Sequence, residues 1–89
     1  MSLFGSRMLE NAELRELIGL LEGRLQVIGD AEMRERDPAG QLAKLQEVSE
    51  AITDFHAAHR ARIQPRLNHF LENCSYAKAL DWAAGLLEE

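Results

Sequence analysis

The chain contains one cysteine, Cys74, so no internal disulfide can brace it, and a reducing cytoplasm is the expected setting. No positively charged, apolar, small-residue leader opens it, which favours the same compartment. No apolar run approaches the roughly 18 residues of a membrane span. No alternating apolar segment bounded by turn residues suggests a strand, hairpin dipeptides are missing, and nothing repeats at a period of about 20–50 residues. Prolines are scarce: there are two, Pro38 and Pro65, and each marks a boundary. Positive charge is also short. Ten basic against fifteen acidic side chains leave a net charge of -5, so no field over the whole molecule would draw it to nucleic acid or to an anionic membrane.

What remains is an apolar, helix-forming chain. At 46% hydrophobic it is too apolar for wholesale disorder, and 89 residues suffice for one modest core, so residues 1–89 read as a single domain. Residues 1–6 are expected to be flexible or a cloning remnant. In the first half, Leu14, Ile18, Leu21, Leu25 and Ile28 recur at spacings of four and three, the pattern of a packed helix capped by Ser6 or Asn11 and ending near Gly29. Leu17, Leu20 and Val27 widen its apolar arc to about half the circumference, more than one partner helix covers.

The charge-rich stretch Gly29 to Arg36 reads as a connection whose tail, Ala31 to Arg36, is also open to helix. Asp37-Pro38 then signals a helix start, since aspartate caps free N–H groups and proline at the first helical position loses only an unpartnered donor. Leu42, Leu45, Val48, Ile52 and Phe55 mark the inward face of this second helix, and Pro65 predicts a kink or break between Ile63 and Pro65. A short third helix with Leu67, Phe70 and Leu71 inward should come next. A fourth, capped by Ser75, would run from Tyr76 to Leu87 with Ala77, Leu80, Ala84 and Leu87 buried. The expected fold is all-α: a small bundle with an antiparallel hairpin of the first two helices, covered by two short C-terminal helices.

The least ordinary stretch is His56 to Tyr76. It holds all three histidines, the one cysteine and three of the ten basic residues, with no acid from His56 through Leu71. Were the helical path continuous through Pro65, His59, Arg62, Arg66 and His69 would share one face and form a candidate anion site, unless Glu10, Glu13, Glu16, Glu88 or Glu89 pair with them instead. His56, His59, His69 and Cys74 lack the spacing of a zinc motif, so no metal and no cofactor is implied. Cys74 with His69 lacks a third orienting group, so no catalytic set is found and the cysteine reads as a small packed side chain. Gly19 and Gly23 would let a second backbone approach the first helix. Trp82 fits either the core, the favoured placement, or an exposed anchor.

These features favour a non-enzymatic protein-protein interaction module, pairing as a homodimer or with a helical partner through Leu17, Gly19, Leu20, Gly23, Val27 and Trp82. The alternative is a regulatory domain that takes an anion on the His59, Arg62, Arg66 and His69 stripe. Membrane and nucleic acid are not expected partners.

Overall fold

Five α-helices account for the fold in the computed structural model, which describes residues 8–87; no strand occurs among them. They are α1 (Asn11–Ile28), α2 (Ala31–Arg36), α3 (Pro38–His59), α4 (Pro65–Glu72) and α5 (Tyr76–Leu86), with a 3-10 turn at Arg60–Arg62. Ser6, one of the two expected caps of the first helix, lies outside the described residues, as do the rest of residues 1–7 and the pair 88–89. The other expected cap, Asn11, is the first helical residue. The capping position belongs to Glu10, whose N–H donates to the Glu13 carboxylate at 3.0 Å.

Within the connecting segment, the tail open to helix forms α2, because Asp30 caps it by accepting from the Met33 N–H at 2.9 Å. Asp37 does the same for α3, accepting from the Gly40 N–H at 3.0 Å with Pro38 in the first turn. At the other end α3 stops at His59, well short of Pro65. Proline disfavours the helical region for the residue before it, and Gln64 is extended with ψ 139°. The chain adapts by tightening into the 3-10 turn and then straightening at Ile63, which drops into the core.

Leu9, Leu14, Leu17, Leu21, Ile52, Phe55, Ile63, Leu67 and Leu71 make that core with Ala79 and Ala83. The inward face of α5 is centred on Ala79 and Ala83, both fully buried; of the stripe expected from spacing, Leu80 and Leu87 are half-buried against the core, while Ala77 and Ala84 are exposed. The reason is close packing. α5 lies against both α1 and α4, and methyl-sized side chains permit a backbone approach that leucines would block.

The turn between α4 and α5 is closed by the Ser75 N–H donating to the Phe70 carbonyl at 2.8 Å and the Cys74 N–H to the Leu71 carbonyl at 3.1 Å. This Schellman arrangement needs one residue in the left-handed region, and Cys74 takes it at φ 55°. Ser75, expected to cap the next helix with its hydroxyl, makes no such bond. Cys74, expected to be packed, is exposed. Left-handed backbone costs an L-residue roughly 1 kcal/mol that glycine avoids. Cys74→Gly is therefore expected to raise the melting temperature by a few degrees in thermal unfolding followed by circular dichroism.

Candidate interaction surface

The expected anion stripe is split, because α3 ends at His59 and the 3-10 turn redirects the chain beyond it: His59 and Arg62 meet at Glu13, while Arg66 and His69 lie on α4 beside Trp82 and Phe70. Arg62 grips Glu13 with both ends of its fork, Nη1 to Oε2 at 2.6 Å and Nη2 to Oε1 at 2.7 Å. His59 stacks on Phe55 at 4.0 Å between ring centroids, bonds the Phe55 carbonyl through Nδ1 at 2.9 Å, and keeps Nε2 3.7 Å from Glu13. Arg66 lies over the Trp82 ring at 5.2 Å, and His69 tilts against Phe70 beside Asn73. Glu13 is the intramolecular acid that holds Arg62 and neighbours His59. Its carboxyl is lowered to about 2, first by the Arg62 bonds and then by the Glu10 N–H.

The histidines do not converge either: His56 Nε2 meets Asn68 Oδ1 at 2.6 Å on the α3–α4 contact. Among the described residues no group of three or more His, Cys, Asp or Glu side chains could hold a metal ion, and no helix is long and apolar enough to cross a membrane.

The expected interface residues separate as well. Leu17 is fully buried inside the chain's own core, so it needs no partner to cover it. Gly19 faces open space, and a methyl at Gly23 would make ordinary contact with Val48 Cγ2 at 3.8 Å, so neither glycine marks a backbone approach too close for alanine. Leu20, Gly23 and Val27 line one groove between α1 and α3 with Val48 and Ala51. Trp82 is not core: it is 40% exposed, with its ring edge-on to Phe70 at 6.1 Å.

A surface that periodicity had assigned to the interior lies at the far end of α1 and α3. Gln41 Nε2, in the first turn of α3, donates to the Val27 carbonyl at 2.7 Å, while Arg62 joins the start of α1. Between these ties α1 and α3 run for roughly 27 and 33 Å, but α5 for only about 16 Å and α4 about 12 Å. Arg24 sits over the Tyr76 ring at 4.6 Å, which fixes where α5 begins along α1. Beyond it Leu25, Ile28 and Leu42 are only partly covered, at 40%, 37% and 57% exposed. Val27, Ile28, Pro38, Leu42 and Leu45 line a groove of about 330 Å³ there, bordered by Gln41 and by Arg34, whose Nη2 donates to the Ile28 carbonyl at 2.5 Å.

The apolar strip is therefore the continuation of the core past the reach of α4 and α5. Side-chain spacing could not reveal this for Leu25 and Ile28, which sit in register with the buried Leu14, Leu17 and Leu21, whereas Leu42 is turned about 80° and 140° from the buried Ile52 and Phe55 on α3. The helix lengths could have, since the short C-terminal helices cannot span the full length of the first two. Comparison with protein-family models, curated proteins and solved structures finds no match.

Proposed function

We propose that the chain is a small non-enzymatic self-association module, pairing as a homodimer through the α1 and α3 surface that α5 leaves uncovered. The observation that carries this is the apolar groove of Val27, Ile28, Pro38, Leu42 and Leu45, in which Ile28 and Leu42 are each more than a third exposed, with Leu25 likewise exposed one turn earlier on α1. Underlying it is a bundle in which α1 and α3 form an antiparallel hairpin broken before Pro65, supported by the bonds from Gln41 to Val27 and from Arg62 to Glu13. A face two helices wide is buried most simply against another of its kind, giving four helices around a shared core and an isologous two-fold contact. A reducing cytoplasm suits a module whose one thiol, Cys74, is exposed and free.

The uncovered strip is short, so the interface falls below the roughly 800 Å² per partner of a standard stable complex, and the dimer is a weak one. Its mass in size exclusion with light scattering should rise with protein concentration toward twice 10.0 kDa. Leu42→Glu is expected to hold the mass at the monomer value while leaving helicity intact, because the side chain is already 57% exposed. A wild-type chain that stays monomeric at millimolar concentration, or a dimer that survives Leu42→Glu, rules the interface out.

A further inference from the structure

The acid-free stretch leaves one arginine over. Arg60 Nη2 bonds Glu72 at 2.7 Å, Arg62 is held by Glu13, and His56 is bonded to Asn68. Arg66 has no ion pair among the described residues; it is exposed, with its guanidinium carbon 5.2 Å from the centre of the Trp82 ring. A guanidinium held over an indole loses less freedom on binding, and its N–H donors can still take a carboxylate.

Trp82 connects this cation to an apolar hollow. Phe70 steadies the indole edge-on from α4, and on the α5 side a depression of about 190 Å³ is lined by Asp81, Trp82, Gly85 and Leu86. Gly85 opens it: nothing lies within 4 Å of where its side chain would begin, so a larger residue would fill the space. The titratable groups on this face are unequal. His69 shares the exposed side of α4 with Arg66, three residues away, and Lys78 stands one turn before Trp82 on α5, while Asp81 is the carboxylate that lines the hollow among the described residues. Since Asp81 borders the hollow and Arg66 lies over the indole, an anionic group is repelled from the apolar end and drawn to the arginine end.

We propose that this patch docks an acidic peptide segment of a partner protein, which sets a carboxylate on the Arg66 guanidinium and an apolar side chain in the hollow beside Gly85. The chemistry is that of an interface hot spot, where arginine and tryptophan carry most of the energy over a small area. It is independent of the dimer surface, because none of its residues belongs to the α1 and α3 strip.

Trp82 is the only tryptophan, so its emission reports the site directly. The probe is the acetylated, amidated hexapeptide EELLEE, compared with KKLLKK and EEAAEE, titrated at low and high salt into both the wild-type chain and the Leu42→Glu variant. EELLEE should give a saturable change in emission, weakened by salt. KKLLKK and EEAAEE should each bind at least roughly tenfold more weakly, a difference of about 1.4 kcal/mol. Arg66→Gln should remove the preference for EELLEE over KKLLKK, and Gly85→Leu should remove the preference over EEAAEE; both positions are exposed, and circular dichroism checks that each variant stays folded. No saturable response up to millimolar EELLEE overturns the proposal, as does equal binding of KKLLKK or an unchanged preference in Arg66→Gln. Binding that persists in Leu42→Glu separates this site from the dimer.

Discussion

Replacing Leu17 by alanine is expected to lower the free energy of unfolding by about 2–5 kcal/mol, the range for deleting a buried leucine side chain. The size reflects its position. Leu17 has no exposed surface, sits one turn from Leu14 and Leu21 on the same face of α1, and belongs to the cluster that joins α1 to Ile52, Phe55, Leu67 and the two alanines of α5. The cavity left behind could not collapse easily, because Ala79 and Ala83 already bring the α5 backbone as close as methyl groups allow. A domain of this length has roughly 4–13 kcal/mol in total, so the variant should melt more than about 10 °C below the wild type. The same loss should appear in dilute and concentrated samples. Thermal unfolding at two concentrations tests this. A Leu17→Ala chain with unchanged melting when dilute, but altered mass when concentrated, would return Leu17 to a subunit interface.

That distinction bears on how far the sequence could be read. The all-α class was legible, since the apolar residues of each half repeat at helical spacing and nothing alternates. So was the start of α3, because aspartate followed by proline has a local mechanism that tertiary structure does not change. What periodicity could not supply was coverage. Leu14 and Leu25 lie within about 20° of one another around α1, yet one is buried and the other is 40% exposed, because a neighbouring helix begins between them. The face of α5 is rotated for a related reason: the expected stripe of Ala77, Leu80, Ala84 and Leu87 keeps its leucines against the core, but close approach to α1 and α4 centres the face on Ala79 and Ala83.

The anion stripe failed on backbone geometry. Its four residues share a face only if the helix continues from His59 to His69, and the extended backbone at Ile63 and Gln64 rotates Arg62 and Arg66 to opposite tasks. Arg62 closes onto the start of α1, and Arg66 joins the aromatic pair on α4 and α5. One part of that reading was nonetheless visible in composition. A run without acids must find its counter-charges elsewhere in the chain or outside it, and among the described residues Glu13 and Glu72 supply two of them.

Glu13→Gln is expected to lower the melting temperature by several degrees at pH 7 and by progressively less in acid. Glu13 has two tasks, accepting the Glu10 N–H that starts α1 and both ends of the Arg62 fork beyond α3, so it ties together chain segments 49 residues apart. Its carboxyl is held at about 2 in the folded chain against an ordinary value of 4.5, with the Arg62 hydrogen bonds as the first cause. A lowered folded pKa means that the unfolded chain takes up the proton first as the pH falls. The stabilisation is therefore complete above about pH 4.5 and is lost progressively as the pH falls toward 2. Wild type should lose stability through that window, and Glu13→Gln, which cannot titrate there, should lose less, so that the two melting curves approach one another near pH 2. Parallel pH profiles for the two proteins would show that the bidentate contact does not persist in solution. Arg62→Gln provides the reciprocal test. It removes the first cause of the depressed pKa while leaving the Glu10 cap, so it should reproduce most but not all of the pH dependence lost in Glu13→Gln.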